Sequence, residues 1–279
     1  MDSAAVLIAS FALYSCAGWL FESILCSISE KRVINRGFLN GPVCPIYGVG
    51  AIAAVLLLSG IGDTAKLFCW GAIVCSVIEY FTSWAMEKLF HARWWDYSDR
   101  FLNLNGRICV PATLLFGFFI VLVVDVIQPA FMVLFAQMSP QVLSGACGVF
   151  LALFAADTLV TNIGLSGFRD KIDAYCAQLT EQAGRVHDVI TDGDNPVAQG
   201  VRQLKASPIA HVYVRVRELM PGPVAIEDIG HSLAASFSAA LNDQERRVMD
   251  AFPRMRISVP GVDRMKELAH SAREKLLGP

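Results

Sequence analysis

The amino-acid sequence predicts an all-α protein: a polytopic membrane bundle of about five transmembrane helices followed by a mostly helical, soluble C-terminal tail. Of its 279 residues, 54% are hydrophobic and 17% are charged, against roughly 25% charged residues in an ordinary soluble domain. The charges are also unevenly placed, because 8 of the 23 basic residues precede residue 168 and 15 follow it. We therefore expect a membrane domain over residues 1–167 and a cytoplasmic tail over residues 168–279.

Five segments are apolar over about the ~20 residues that a helix needs to cross a bilayer. They cover residues 4–28, 44–59, 65–89, 108–127 and 141–159. The second segment is the shortest. Residues 129–138 are also apolar, which leaves two alternatives: the fourth helix continues past a kink at Pro129, or it gives way to an interfacial stretch.

The basic residues indicate the orientation of the helices, because cytoplasmic loops retain Lys and Arg during insertion. Basic residues follow the first, third and fifth segments: Lys31, Arg32 and Arg36; Lys88, Arg93, Arg100 and Arg107; Arg169 and Lys171. The alternate connections contain only Lys66. This pattern predicts a multi-pass protein of the cell membrane with its N-terminus outside and its C-terminal tail in the cytoplasm.

Apolar residues recur every three or four positions in three parts of the tail, at residues 172–190, 226–241 and 262–276. This spacing predicts amphipathic helices. Residues 212–216 alternate between valine and larger polar or aromatic residues, which is typical of a half-buried strand or an ambiguous short helix. The apolar stripes would pack the tail helices on one another or, alternatively, on a lipid surface or a partner.

Three glutamates lie within predicted membrane segments: Glu22, Glu79 and Glu87. A carboxylate near the bilayer centre costs at least ~2.5 kcal/mol on insertion scales, so it should face the bundle interior. Small or polar residues spaced by four lie on the same helix faces as these glutamates. Tyr14, Gly18 and Cys26 share the face of Glu22 in the first segment. Cys75 and Ser83 share the face of Glu79 and Glu87 in the third segment. These faces line a binding cavity for an unknown small-molecule substrate, or they pair with loop arginines and tyrosines to hold the bundle together. We expect Asp125 and Asp157 to be interfacial carboxylates in reach of water.

Two loops carry the remaining candidate binding residues. The first begins with Asn35 and Arg36 and is dense in glycine and proline; Arg36 is a candidate counter-ion for Glu87. The second contains Trp95, Asp96, Tyr97, Asn105 and Arg107. Adjacent tryptophans are typical of an interfacial aromatic belt. The alternative is that this loop folds back over the cytoplasmic mouth of the bundle as a polar site.

Several strings in fixed order resemble one family. They are GWLFE, NRGFLNGPVCPIYGVG and WWDYSDRFLNLNGRI, together with the glutamates at positions 79 and 87. Over roughly residues 8–125 the chain resembles the ABC-transporter permease family of the CmpB type. The resemblance implies a bacterial cytoplasmic-membrane protein with a role in transport, and it does not extend to the tail.

The motifs that the sequence lacks narrow the function. It contains no GxxxxGK[ST] phosphate-binding loop, so any ATPase that drives it must be a separate chain. HExxH, GxSxG and metal-ligand cysteine spacings are also missing. We therefore predict no cofactor, metal site or catalytic residue. The tail's 15 basic residues are balanced by 15 acidic ones, which argues against nucleic-acid binding.

The leading functional hypothesis is a membrane permease or transport-related subunit in which Glu22, Glu79 and Glu87 line a polar cavity. An alternative is a membrane-embedded enzyme that acts on a lipid or amphiphile at the cytoplasmic interface. Polar residues that continue through the bilayer would favour transport, whereas polar residues clustered at one face would favour the enzyme. A third hypothesis is a sensor or scaffold that acts through its tail. Five helices form a small bundle, so we also expect a homo-oligomer or a complex with other subunits.

Overall fold

The computed structural model describes residues 3–191, 235–253 and 255–257, and helices dominate the described chain. The helices are α1 (Ser3–Glu30), α2 (Pro45–Leu58), α3 (Thr64–Phe90), α4 (Val110–Leu122), α5 (Gln128–Ala136), α6 (Pro140–Gly164), α7 (Phe168–Thr191) and α8 (Asp243–Ala251). Four strands of two residues each are β1 (Ala92–Arg93), β2 (Asn103–Leu104), β3 (Ile108–Cys109) and β4 (Arg256–Ile257). The predicted all-α class is confirmed.

Four helices are long and apolar enough to cross a membrane: Ser3–Glu30, Thr64–Phe90, Val110–Ala136 and the helix that begins at Pro140. The apolar helix α2 has 14 residues, and is therefore about 21 Å long, shorter than the ~30 Å hydrocarbon core of a bilayer. The membrane helix bundle is thus present. The number of crossings and the orientation remain predictions.

The fourth predicted segment does not stop before Pro129. A π-helical turn, Val123–Ile127, joins α4 to α5, and the helical path reaches Ala136. Proline has no backbone N–H and its ring crowds the preceding turn, and a π-bulge relieves such local strain within a helix. Of the two alternatives for residues 129–138, the continuing helix is therefore confirmed.

Each of the first three helix pairs along the chain packs together, with α2 against α1, α3 against α2 and α4 against α3. The glycine at position 18 permits the first of these contacts, because a Cβ built there would overlap the ring of Tyr47. Apolar side chains from α2, α3 and α4 form one core cluster: Ala54, Leu58, Leu67 and Ile120. The bundle is therefore held by close approach of helices α1 and α2 and by apolar packing of α2 to α4.

Two loops meet at one end of the bundle: loop 1 (residues 31–44), which follows α1, and loop 2 (residues 91–109), which follows α3. Phe38 of loop 1 packs on Phe90 at the end of α3 and on Trp94 of loop 2, with ring centroids 5.8 and 5.4 Å apart. Asn40 of loop 1 also hydrogen-bonds Asp157 of α6. We call this end of the bundle the loop end.

The chain after α6 contributes to two compact units. In the second unit α7 covers the helix predicted at residues 172–190, and Tyr175 stacks on Phe237 with centroids 4.7 Å apart. Residues 242–257 belong instead to the unit formed by the bundle. The patterns at residues 212–216 and 262–276, and most of the pattern at 226–241, lie outside the described residues.

Candidate functional site

Glu22 lies on α1 near the loop end and has two partners. The Tyr47 hydroxyl donates a hydrogen bond of 2.5 Å to Glu22 Oε1, and Arg36 Nε lies 3.4 Å from Oε2. The backbone N–H of Arg36 also donates to the Ser23 hydroxyl, 3.1 Å away, which fixes loop 1 against α1. Arg36 therefore pairs with Glu22 instead of the expected Glu87.

Glu79 lies near the middle of α3 and is only 5% exposed. The Tyr97 hydroxyl donates a 3.1 Å hydrogen bond to Oε1, while Oε2 is buried and has no hydrogen-bond partner among the described residues. We call the group Glu22, Tyr47, Glu79 and Tyr97 the carboxylate–tyrosine cluster.

Loop 2 reaches the carboxylate–tyrosine cluster because a hairpin turns it back toward α3. Strands β2 and β3 pair in antiparallel fashion, and Asn105 and Gly106 between them have positive φ angles of 53° and 67°. This is the backbone that a tight hairpin turn requires. The N–H of Tyr97 donates to the Gly106 carbonyl, 2.8 Å away. Burial, followed by the charge and the hydrogen bond of Glu79, raises the pKa of Tyr97.

Glu87, one turn before the end of α3, lies between two arginines of loop 2. Its Oε2 is 3.2 Å from Arg93 Nε and 2.7 Å from Arg107 Nη2. The side chains of Glu87 and Arg107 are only 19% and 11% exposed, so these charge-assisted bonds are stronger than surface ion pairs. Arg93 also binds Asp96 at 3.6 Å and the Asn105 carbonyl at 3.0 Å. Glu87 therefore anchors loop 2.

Polar side chains continue from the cluster toward the other end of the bundle. The Tyr14 hydroxyl donates to Gln128 Oε1 at 2.8 Å, and Gln128 Nε2 donates to the Ser10 hydroxyl at 3.4 Å. On α3, Ser76 shares a 2.8 Å hydrogen bond with Thr113 of α4. Because Ser10 and Glu22 are 12 residues apart on one helix, these groups extend over about 18 Å of α1. We call them, with the cluster, the polar interior.

Asp157 has a more specific role than the sequence analysis assigned to it. Its carboxylate accepts hydrogen bonds from the backbone N–H groups of Asn40 and Gly41, at 3.0 and 2.7 Å, and from the Asn40 amide at 2.9 Å. Thr161 adds a fourth bond at 3.2 Å. Asp157 therefore attaches loop 1 to α6. No spacing pattern indicates the contact with loop 1, because Asn40 and Gly41 lie over a hundred residues before Asp157.

The predicted site residues fall into neighbouring groups. Loop 2 gathers Trp95, Asp96, Asn105 and Arg107 around Glu87, and the Trp95 indole donates to the Arg107 carbonyl at 3.1 Å. Asn35 lies apart and accepts a 2.7 Å bond from the Trp19 indole. Trp94, which the sequence analysis did not select, is only 1% exposed and packs between Phe38 and Phe90.

A groove of about 420 Å³ lies on α1, α2 and α6, away from the carboxylates. Apolar side chains line it, among them Leu7, Phe11, Ile52, Leu56 and Leu151. None of the predicted binding residues contributes to this groove. Within the described ranges, no three His, Cys, Asp or Glu side chains are grouped to hold a metal ion.

The sequence model of a family described as "Putative ABC-transporter type IV" matches residues 9–162, more than half of the chain. The chain belongs to this family. The resemblance to CmpB-type proteins is thereby confirmed. The match with the ABC-transporter type IV family spans both loops, the carboxylate–tyrosine cluster and Asp157, and ends before α7. No curated protein and no solved structure matches the chain.

Proposed function

We propose that the chain is the membrane-embedded subunit of a bacterial transporter, and that the polar interior forms the binding site or path of its small-molecule substrate. In this proposal the loop end and the tail face the cytoplasm, as the basic residues of the loops predict. The membership of the ABC-transporter type IV family and the apolar helices support a role in transport.

The length of the polar interior is the observation that carries the proposal. An enzyme acting on lipids at one membrane surface needs polar groups at that surface only. In this chain, hydrogen-bonded polar groups extend inward from the loop end to Ser10 and Gln128. Polar side chains inside a bilayer are costly, and they mark substrate or ion pathways in membrane proteins. This distribution favours transport over surface catalysis.

The carboxylate–tyrosine cluster is the proposed substrate contact within the polar interior. Arg36 balances the charge of Glu22, whereas Glu79 has a tyrosine hydroxyl as its partner. The second oxygen of Glu79 is free to accept a hydrogen bond from a substrate or to carry a proton. A substrate with a hydrogen-bond donor or a positive charge fits this arrangement, because it would compensate the buried carboxylate.

A separate ATP-hydrolysing subunit is the proposed energy source, because the chain has no phosphate-binding loop of its own. Such a subunit would bind at the loop end, where loop 1, loop 2 and α8 are exposed to the cytoplasm in the proposed orientation. Because the bundle is small, we also propose that the complex contains a second copy of the chain.

The test begins with the full chain purified from its own membranes in mild detergent, and proteins that accompany it are identified. The complex is then reconstituted in liposomes and incubated with a small-molecule extract of the same cells. Untargeted mass spectrometry compares the compounds taken up with and without ATP. We expect an ATP-hydrolysing protein in the complex and at least one compound whose uptake requires ATP.

The variants Glu22→Gln and Glu79→Gln locate the path, because an amide removes the charge but keeps the side-chain shape. Both should assemble with the ATPase and lose ATP-dependent uptake. Asp125→Asn is the matched control, since Asp125 is an exposed acid in the π-helical turn outside the cluster. Full uptake by the Glu22→Gln/Glu79→Gln double variant would show that the two carboxylates are not needed for transport. A complex without any ATP-hydrolysing protein would contradict the ATPase partner.

A further inference from the structure

Residues 242–257, here called the docked segment, bind loop 1 through two arginines. Arg247 donates from Nη2 to the Phe38 carbonyl at 2.6 Å and from Nη1 to the Gly37 carbonyl at 3.3 Å. In the opposite direction, Arg36 Nη1 of loop 1 donates to the Ala251 carbonyl at 2.7 Å. Burial lowers the pKa of Arg247 and the nearby charge of Asp157 opposes this shift. The arginines therefore join the segment and loop 1 by three charge-assisted bonds.

The docked segment also binds loop 2. The Phe252 ring packs perpendicular to the buried Trp94 ring, with centroids 4.8 Å apart. Strand β4 then pairs with β1 in antiparallel register, Ala92 opposite Ile257 and Arg93 opposite Arg256. The segment thus bridges the two loops that cover the carboxylates.

Contacts with the two loops and with the end of α6, where Asn242 Nδ2 donates to the Gly164 carbonyl at 2.8 Å, hold the docked segment in place. Helix α8 has nine residues, and an isolated helix of this length is marginal in water. An Asn242–Glu245 capping box defines its start, and Val248 on its inner face is fully buried. The ion pair between Arg32 and Asp250 is 3.7 Å long and largely exposed, so it contributes little. Loss of the Arg247 and Phe252 contacts should therefore release the segment.

Arg36 connects the docked segment to the carboxylate–tyrosine cluster. One guanidinium binds Glu22 through Nε and the Ala251 carbonyl through Nη1, and its Cζ lies 4.1 Å from the centroid of the Phe252 ring. Movement of the segment would remove two of these three contacts. Arg36 could then leave Glu22, which would open a route from the loop end to the cluster.

We propose that the docked segment is an autoinhibitory element that closes the loop end, and that its release exposes the cluster to the aqueous side. The closure rests on contacts within the described chain, and only its consequence for transport rests on the proposed function. The surface that the segment leaves would consist of the Gly37 and Phe38 carbonyls, Trp94 and the free edge of β1. In the structure this surface is covered by the chain's own residues 242–257.

Hydrogen–deuterium exchange of the full chain in lipid nanodiscs tests the docking. The matched variants are Arg247→Ala and Arg32→Ala. Arg247 binds loop 1 through charge-assisted bonds, whereas the exposed ion pair of Arg32 with Asp250 contributes little. Loss of about 1.5 kcal/mol of charged hydrogen bonding should make the α8 amides exchange about tenfold faster in Arg247→Ala. Wild type and Arg32→Ala should exchange nearly alike, because an exposed ion pair contributes little. If Arg247→Ala is too mild, Arg247→Ala/Phe252→Ala removes both main contacts.

The native Cys44 thiol reports whether release opens the loop end. Cys44 is buried, and its Sγ lies 3.7 Å from the Arg36 carbonyl. A water-soluble maleimide and peptide mapping measure its labelling, and the labelling of Cys44 in the unfolded chain is the reference. We expect Cys44 labelling, as a fraction of that in the unfolded chain, to rise at least several-fold in the released variants and to stay low in wild type and Arg32→Ala.

Three results would overturn the inference: fast exchange of α8 in the wild type, protected α8 in the double variant, or released α8 with Cys44 still unlabelled. Both readouts work without a transport substrate. Released α8 with open Cys44 but no ATP-dependent uptake in any variant would therefore reject the proposed function and leave the closing element standing.

Discussion

Tyr97 of loop 2 donates a hydrogen bond to Glu79 in the middle of α3, over a distance of 3.1 Å. The two residues are 18 positions apart, and the chain between them completes α3 before it turns back. A loop residue is thus the hydrogen-bond partner of the most buried glutamate of the membrane helices. A buried carboxylate without a partner would destabilise the bundle. The hydrogen bond from Tyr97 therefore couples the position of loop 2 to the stability of α3.

The variant Tyr97→Phe should destabilise the bundle by about 1–3 kcal/mol at neutral pH, since it leaves Glu79 without its hydroxyl partner. Thermal unfolding in detergent measures the loss. Alkaline pH supplies a second readout. The raised pKa of Tyr97 in the folded chain contributes stability that is present below the unfolded value of about 10 and is lost as the pH rises above it. The wild type should therefore lose more stability in alkali than Tyr97→Phe does.

Tyr80→Phe is the control for this prediction. Tyr80 belongs to the same helix, but its hydroxyl accepts a hydrogen bond from Asn105 at 3.0 Å and does not bind Glu79. The Tyr80→Phe variant should lose as much stability in alkali as the wild type does. Equal unfolding temperatures for Tyr97→Phe and the wild type at neutral pH would show that the bond to Glu79 does not stabilise the fold.

Asp157 and Asp125 provide a matched pair of acids within predicted membrane segments. Asp157→Ala removes the acceptor of four hydrogen bonds, three of them from loop 1. We expect a loss of about 1–3 kcal/mol together with faster hydrogen exchange of the Asn40 and Gly41 amides. Asp125→Ala, at an exposed position away from loop 1, should leave the exchange of the Asn40 and Gly41 amides unchanged. Unchanged exchange of both amides in Asp157→Ala would mean that loop 1 is held by its other contacts.

The helices could be predicted from the sequence, but the side-chain contacts between helices and loops could not. Apolar length and the cost of a buried charge predict the spans and the inward position of Glu79, because both depend on local composition. The counter-ion of Glu22 depends on where loop 1 turns. The expected partner of Arg36, a carboxylate at the predicted cytoplasmic end such as Glu87, was therefore wrong. The bond between Asp157 and Asn40 joins residues 117 positions apart, a distance that no local pattern encodes.

The docked segment shows the same limit on a larger scale. Balanced charge and amphipathic spacing predict a soluble helical tail from residue 168, and α7 confirms a helix over residues 172–190. The spacing cannot show which surface a short helix covers, so the contacts of Arg247 and Phe252 with the loops were unpredictable. Deleting the whole tail would therefore remove contacts of the bundle as well, and substitutions at single positions are the cleaner experiment.

Gly18→Ala tests the close approach of α1 and α2 and, through it, the site. A Cβ at position 18 would overlap the Tyr47 ring, whose hydroxyl binds Glu22. Either the helices separate or the ring moves, and overpacking of this kind costs about 1–3 kcal/mol. Gly145→Ala in α6 is the control, since no atom lies within 4 Å of a Cβ there, and removing a helical glycine should stabilise it slightly. Thermal unfolding compares the two variants, and ATP-dependent uptake should fall only in Gly18→Ala. If both variants unfold at the same temperature, Gly18 does not set the helix spacing, and the position of Tyr47 beside Glu22 must depend on other contacts.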